Sequence, residues 1–343
     1  MGQVQVSMII PVQDEQGNID EILEQAVRET RGMCAEVIVV DMGWKGPLLQ
    51  KGYQLYQEKQ LRGGVVRNGD ADLASAMNTG LQRAQGEFVT FLLPKDRYQE
   101  YLAGYLQTAL QGADVVFGCM NASGVRAAER RVNSTAVKSQ RGADFACEMI
   151  RGTLLLSPGA ILLRRSFLEK ERIHFREGVH YGVGEEFLFR CLLSADTVLQ
   201  SPTVPVHAGT CEPPAQAPST TITGKEIFDF VDTMIRVYDW VRLECRHEEL
   251  VRLFRYQKLP ETVMQCVEQL LFEGMGQRYI RDCMKQGGYE RLLEADRRLT
   301  SPELKRRMQV WKHLPWLYRV PEKHYESITK GRGYLCRKNS VSN

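Results

Sequence analysis

The sequence predicts an α/β protein in which a parallel sheet is covered by helices, followed by a helical domain. Over the first 120 residues, short β-branched runs alternate with stretches of helical periodicity, which is typical of a parallel sheet with helices on its faces. From residue 225 onward, apolar residues recur with helical spacing. The 343-residue chain is 43% hydrophobic and 25% charged, so it contains enough apolar material for a large core.

Before residue 120, strands and helices are predicted in strict alternation. The predicted strands are Val4–Pro11, Glu36–Asp41, Gly64–Arg67, Glu87–Leu93 and Asp114–Gly118. The predicted helices are Gly17–Thr30, Leu48–Glu58, Leu73–Ala84 and Tyr101–Leu110. Ligands of open parallel sheets bind at the carboxyl ends of the strands, so the loops that follow these strands are the predicted site.

The second half of the chain is less regular. Residues 125–140 are polar and predict a loop, and Pro158 interrupts the apolar run 154–163, which predicts two strand pieces. A helix is predicted over 185–195, and a proline-rich linker over 202–219. We therefore expect three parts: an α/β domain over residues 1–220, a helical domain over 225–325 and a basic tail over 326–343.

The composition and the first residues of the sequence limit which partners the protein can bind and in which compartment it is expected. The formal net charge of +3 gives no argument for nucleic-acid binding. No stretch approaches the roughly 20 apolar residues that cross a bilayer, and the first residues lack the features of a secretory signal. Nine scattered cysteines without a C-x-x-C pair indicate reduced thiols. We expect a cytoplasmic protein.

Several segments resemble a known family in order and spacing. These are VSMIIPVQDEQGNIDEIL, EVIVVDMGWKG, ADLASAMNTGLQRAQGEFVTFLLPKD and ILLRRSFLEKERIHFREGVHYGVGEEFLFRCLLSA, which are similar to segments of the family 2 glycosyltransferases. The resemblance covers residues 6–205 and implies the Rossmann-like GT-A fold. It also implies inverting transfer of a sugar from a nucleotide-sugar donor to a polysaccharide or glycoconjugate acceptor.

The resemblance implies donor-binding roles for residues at the strand ends. Val12, Asp14 and Glu15 match the first loop, which touches the nucleotide in the family. Asp41 matches the first of two acids after the second strand, and Asn78 lies in the segment that matches the family's A-R-N-x-G-L helix. His207 follows a short predicted strand, where related enzymes place a histidine near the diphosphate. Alternatively, Asp14 and Glu15 simply favour the N-terminus of the next helix.

Three departures from the family pattern concern the donor site. Met42 replaces the second acid, and Met77 replaces the arginine of the A-R-N-x-G-L helix. Leu93 and Lys95 occupy the acid positions of D-x-D, and only the adjoining Asp96 is kept.

Since D-x-D normally positions a divalent cation on the diphosphate, a divalent metal is not expected, and we predict no metal ligands. In one interpretation Lys95 neutralises the diphosphate directly, without a metal. In the other the site has lost its activity, and Lys95 is a solvated lysine.

Two adjacent acids match the family's Glu-Asp pair. Glu186 takes the position of the general base that accepts the proton of the acceptor hydroxyl, and Glu185 precedes it. The simpler interpretation is that both acids stabilise a helix N-terminus by about 0.3 to 1 kcal/mol each. His174 and His180, in the loop before the pair, are weaker candidates for contact with a sugar.

Two further alternatives stay open. Trp311, Trp316 and Tyr318 either complete the core of the helical domain, which we favour, or contact a membrane surface. The chain is either an enzyme or an inactive GT-A scaffold that binds a glycan or another transferase. Motifs of dehydrogenases, P-loop NTPases, α/β-hydrolases and zincins are absent from the sequence. The donor base, the acceptor and the oligomeric state are not indicated.

Overall fold

The computed structural model describes residues 4–12, 19–43, 47–69, 72–93, 98–118, 137–203, 206–207 and 224–321. The chain forms two compact units, which we call the sheet unit and the helical unit. The sheet unit comprises residues 1–145, 154–178 and 187–210. The helical unit comprises residues 146–153, 179–186 and 211–343. The expected basic tail, 326–343, lies outside the described residues, and the expected boundary between residues 220 and 225 stays a prediction.

Ten strands lie in the described part of the sheet unit. They are β1 (Val6–Val12), β2 (Ala35–Asp41), β3 (Gly63–Arg67), β4 (Phe88–Phe91), β5 (Tyr98–Gln99), β6 (Val115–Phe117), β7 (Lys138–Gln140), β8 (Ile161–Arg164), β9 (Val198–Gln200) and β10 (Val206–His207). Eight of them form one sheet in the order β3-β2-β1-β4-β8-β6-β9-β7, and β5 pairs with β10.

The five strands predicted before residue 120 all form and run parallel to one another, whereas the whole sheet is mixed. Strand β1 pairs in parallel with β2 and β4, and β2 pairs in parallel with β3. Strand β8 lies between β4 and β6 and runs antiparallel to both. A strand can enter a gap in a sheet from a distant part of the chain, so the alternation of local elements does not reveal it.

Within the described ranges up to residue 203, the helices are α1 (Ile19–Thr30), α2 (Pro47–Glu58), α3 (Leu73–Arg83), α4 (Leu102–Ala109), α5 (Gly142–Ile150), α6 (Arg165–Lys170) and α7 (Val183–Ser194). The apolar stripe of α1 is buried in the core of the sheet unit, where it meets strands β1 and β2. Helix α5 was not predicted, and β7 lies in a segment predicted as a loop. Most of that predicted loop, residues 125–136, is outside the described residues.

Only one of the two strand pieces predicted around Pro158 forms. The Ser157 hydroxyl accepts a hydrogen bond from the Gly159 N–H at 3.2 Å and begins a short 3₁₀ turn, after which β8 starts at Ile161. Residues 154–156 are therefore not a strand, because the serine and proline direct the chain into the turn instead of a continuous extended run.

The described part of the helical unit continues with α8 (Gly224–Glu244), α9 (Glu248–Leu253), α10 (Leu259–Phe272), α11 (Gln277–Gln286) and α12 (Pro302–His313). A π-helical turn, Phe254–Lys258, joins α9 to α10. Glu268, Arg307 and Tyr318 form a buried hydrogen-bonded cluster in this unit. Among the helices in the described part of the chain, none is both long enough and apolar enough to cross a bilayer.

Candidate functional site

The carboxyl ends of β1, β2 and β3 meet at one edge of the sheet, as the sequence predicted. Val12 is paired with Asp41, and Asp41 with Arg67, across the three strands. The chain continues this pairing past the strand ends, since the Met42 N–H donates to the Val12 carbonyl at 3.0 Å. Of the predicted donor-binding residues, Val12 and Asp41 thus lie side by side.

Asp41 shapes the turn that follows β2. Its side chain is fully buried, and Oδ1 accepts a hydrogen bond from the Gly43 N–H at 2.9 Å. Gly43 has a φ of +108°, which glycine adopts without a steric penalty. The Met42 side chain, in the position of the family's second acid, is buried, so this position offers an apolar thioether and not a carboxylate.

Asn78 uses its side chain to hold another part of the sheet unit. Its Nδ2 donates to the Phe175 carbonyl and to Glu177 Oε1, both at 2.8 Å, and its Oδ1 accepts from the Phe175 N–H at 2.9 Å. The amide is buried, and it fastens helix α3 to the segment around Phe175. These contacts describe a positioning role, whereas its donor-binding role stays a prediction. The neighbouring Met77 is buried in the core.

The segment that corresponds to D-x-D is described only at its two ends. Leu93 is buried, and β5 begins at Tyr98, whereas Lys95 and Asp96 lie outside the described residues, as do Asp14 and Glu15. In the β5–β10 pair, His207 is opposite Tyr98. The His207 backbone therefore lies next to a residue that follows Asp96 by two positions in the sequence, and the role of His207 near the diphosphate stays a prediction.

Leu93 and Lys95, at the two acid positions of D-x-D, provide no ligand for a divalent cation, and only the adjoining Asp96 offers carboxylate oxygens. Leu93 contributes a buried alkyl side chain and Lys95 carries a positive charge, whereas Mg²⁺ and Mn²⁺ require oxygen ligands. Across the described ranges, no three His, Cys, Asp or Glu side chains are grouped so that they could hold a metal ion.

The acidic pair lies in the first turn of α7 and belongs to the helical unit. The Glu186 N–H donates to the Gly182 carbonyl at 2.8 Å, and its side chain is buried, with the residue only 3% exposed. Glu186 Oε2 lies 3.4 Å from Arg236 Nη2. Glu185 Oε1 lies 2.5 Å from Lys258 Nζ. Each acid therefore contacts its own cation, in addition to its favourable place at a helix N-terminus.

Arg236 and Lys258 were not identified from the sequence. They are 50 and 73 positions away from the acids that they contact, and no local spacing relates residues so far apart. Both lie in the region where helical periodicity was the only signal. The histidines of the preceding loop add little to this arrangement: His174 is exposed, and its Nδ1 lies 3.0 Å from the Arg172 carbonyl.

The aromatic run near the end of the helical unit is divided between core and surface. Trp311 and Tyr318 are buried and form an edge-to-face pair with centroids 5.7 Å apart, which agrees with the core interpretation. Trp316 is 64% exposed, next to the exposed Leu317.

Solved structures share this fold. A crystal structure of S. aureus TarS 1–349 in complex with UDP-GlcNAc superposes with a TM-score of 0.64 at 18% identity, covering 96% of this chain and 91% of that chain. A crystal structure of S. aureus TarS gives a TM-score of 0.61 at 18% identity, covering 95% of this chain and 55% of that chain. At this identity the similarity shows the fold alone, which is a GT-A-like α/β fold followed by a helical region.

The family resemblance is also confirmed. Residues 7–171 match the model of glycosyl transferase family 2. Among curated proteins, no sequence significantly similar to this chain was found.

Proposed function

We propose that the chain is an active, inverting glycosyltransferase and that Glu186 is its general base. The observation that supports this most directly is the Glu186 carboxylate, which has the family position of the base and is held by Arg236 at 3.4 Å. In the proposed step, an acceptor hydroxyl oxygen attacks the anomeric carbon from the face opposite the diphosphate. The carbon–oxygen bond to the diphosphate breaks, and the hydroxyl proton passes to Glu186.

The proposed donor is a nucleotide-sugar bound by the sheet unit. We assign it to the strand-end residues Val12 and Asp41 and to the residues Asp14, Glu15, Lys95, Asp96 and His207 predicted from the sequence. Lys95 would balance the charge of the leaving diphosphate as a point charge. UDP-GlcNAc is the first donor to test, because S. aureus TarS, which shares the fold, was solved with it. The proposed acceptor is a hydroxyl of a polysaccharide or glycoconjugate.

The proposed location is the cytoplasm. Six cysteines in the described part of the chain are free thiols, which agrees with a reducing compartment. We propose that contact with a membrane surface, if the acceptor is lipid-linked, is made by Trp316 and Leu317, the exposed members of the aromatic run. Sedimentation of parent and Trp316→Ala chains with anionic vesicles tests this point, and equal sedimentation would refute it.

The donor assignment is tested by calorimetric titration with UDP-, GDP-, CDP- and dTDP-sugars, each with and without Mn²⁺. We expect one donor to bind with an affinity that Mn²⁺ does not change, and we expect Lys95→Met to weaken its binding. Lys170→Met is the matched control, because the Lys170 side chain is exposed and pairs with Glu171. Binding that requires Mn²⁺ would contradict the role of Lys95.

The alternative is a scaffold without activity, which binds a glycan or another transferase. It is favoured by the burial of Met42 and Met77, since two polar positions of the family pattern have become part of the apolar core. Under this alternative, none of the nucleotide-sugars binds in the titration.

A further inference from the structure

A buried lysine contacts the residue next to the proposed base. Lys258 is 7% exposed, and its Nζ lies 2.5 Å from Glu185 Oε1 and 5.4 Å from the centroid of the Phe230 ring. A lysine is seldom buried unless its charge is paired, and here both a carboxylate and an aromatic face are close to the ammonium group. The Lys258–Glu185 pair is therefore a specific contact and not a solvated surface pair.

The π-helical turn explains how Lys258 comes to lie in this place. Proline at position 260 has no N–H to donate to the Tyr256 carbonyl, and that carbonyl instead accepts a hydrogen bond from the Thr300 hydroxyl at 2.5 Å. The chain bridges this point with a π turn, in which the Leu259 N–H bonds to the Phe254 carbonyl. The Thr262 hydroxyl donates to the Lys258 carbonyl at 2.9 Å and secures the next turn.

Helix α8 holds the second acid of the pair, Glu186, through Arg236. Arg236 Nη2 donates to the Thr233 hydroxyl at 2.9 Å, and that hydroxyl lies 3.1 Å from the Tyr181 carbonyl. A Cβ atom on Gly182 would lie 2.6 Å from the Phe230 ring, so only glycine allows this close approach. The loop that leads into the pair is thus fastened to α8 by hydrogen bonds and by packing.

We propose that Lys258 and Arg236 are positioning residues for the acidic pair. Lys258 fixes Glu185 at the start of α7, and Arg236 orients the Glu186 carboxylate toward the acceptor hydroxyl. Separate cations also relieve the repulsion between two adjacent carboxylates. This inference rests on the proposed function, because it takes Glu186 as the base, and it adds to that function two residues for which neither the sequence nor the family match assigns a role.

The kinetic test compares Lys258→Met with Lys258→Arg and with Arg236→Met. We expect kcat to fall by about 10- to 100-fold in both Met variants, while the KM for the donor changes little, since misplacement of a catalytic group by about 1 Å has an effect of this size. We expect Lys258→Arg to restore part of the rate. Arg252→Met is the matched control, because Arg252 is a 51% exposed cation of the same unit that pairs with Asp296.

A double-mutant cycle tests whether Lys258 acts through Glu185. If it does, the double variant Lys258→Met with Glu185→Gln has a kcat no lower than the worse single variant, because the same contact is removed only once. Multiplicative losses in kcat would show that Lys258 acts in another way and would overturn the inference.

A second readout does not depend on turnover. Hydrogen exchange of the backbone amides of residues 183–186 should accelerate in Lys258→Met and not in Arg252→Met, because the start of α7 loses the ion pair between Lys258 and Glu185. Parental exchange together with a parental kcat in Lys258→Met would overturn this inference. Absence of turnover in the parent chain, with exchange still accelerated in Lys258→Met, would instead refute the proposed function. It would still support the conclusion that Lys258 holds Glu185 at the start of α7.

Discussion

Asn78 links helix α3 to a segment almost one hundred residues further along the chain. Its amide makes three hydrogen bonds there, two with the backbone of Phe175 and one with the Glu177 carboxylate. Because both the donor and the acceptor atoms of the amide bond the backbone of the buried Phe175, Asn78 stabilises this contact within the sheet unit.

Replacement of Asn78 by Ala should therefore destabilise the protein. The Phe175 N–H and carbonyl would lose their side-chain partner in a buried place, at a cost of about 1 to 3 kcal/mol. Asn78→Asp should also destabilise, because it keeps the acceptor for the Phe175 N–H but places a second carboxylate beside Glu177. Urea unfolding measures both effects.

Thr79→Ala is the control for this prediction, because Thr79 lies in the same helix as Asn78. The Thr79 hydroxyl donates a hydrogen bond to Oδ1 of Asn68, which follows β3, at 3.1 Å. We expect Thr79→Ala to cost about 1 kcal/mol or less. Parental stability of the Asn78→Ala chain would show that the Phe175 segment does not depend on this amide.

Residue types in the site were largely predictable, and their partners were not. The acids Asp41, Glu185 and Glu186 stand in family positions that the sequence alone shows. Arg236 and Lys258 could not be identified, because ion pairs between residues 50 and 73 positions apart depend on the tertiary fold.

At the scale of single elements, the contact between α3 and β1 depends on Gly80. A Cβ atom at this position would lie 2.3 Å from Ile9 Cγ2, so the helix approaches the strand more closely than any other residue would allow. Gly80 is therefore a packing residue between α3 and β1.

Gly80→Ala should accordingly lower the free energy of unfolding. An extra methyl group in a well-packed contact costs about 1 to 3 kcal/mol, although alanine favours the helix by about 1 kcal/mol. The measurement is thermal or urea unfolding, with Gly64→Ala as the control, since a Cβ atom on Gly64 would meet no atom within 4 Å. Equal unfolding curves for Gly80→Ala and Gly64→Ala would contradict the close packing.

A buried carboxylate of α1 caps another helix and makes stability depend on pH. Glu29 Oε2 accepts a hydrogen bond from the Leu102 N–H at 3.2 Å, at the start of α4. Burial raises the pKa of Glu29 above its ordinary value of 4.5, against the lowering effect of the backbone hydrogen bonds. The folded chain thus binds the proton more tightly than the unfolded chain.

Because the pKa of Glu29 is higher in the folded chain than in the unfolded chain, binding of its proton stabilises the folded chain. This stabilisation is fully present below pH 4.5 and is lost as the pH rises through the raised pKa. The unfolding free energy of Glu29→Gln minus that of the parent should therefore increase upward from about pH 4.5 and level off above the raised pKa of Glu29. Urea unfolding at a series of pH values measures it. Glu24→Gln, on an exposed part of the same helix, should show no such trend, and a difference that is constant with pH would refute the assignment.

The strands and helices before residue 120 were predictable because each shows a clear local pattern of apolar residues. The place of strand β8 in the sheet and the existence of helix α5 were not predicted. The place of β8 between β4 and β6 is a long-range pairing, and the short α5 follows a polar segment.

At the scale of the whole molecule, the chain combines a region that matches the family 2 glycosyltransferase model with helices that contact an acidic pair. The sheet unit aligns Val12 and Asp41 at the strand ends, and the helical unit pairs Glu186 with Arg236 and Glu185 with Lys258. Four positions differ from the family pattern of the predicted donor site: Met42, Met77, Leu93 and Lys95. The account therefore depends on whether Glu186 performs catalysis in this chain.

The most direct measurement is the release of nucleoside diphosphate from the donor found by titration, in the parent chain and in Glu186→Gln. If Glu186 is the base, the variant binds the donor with the parental affinity but releases the diphosphate about 100-fold or more slowly, since a general base contributes about 10²- to 10⁴-fold. Glu185→Gln should lose less. Parental release by Glu186→Gln would contradict the account.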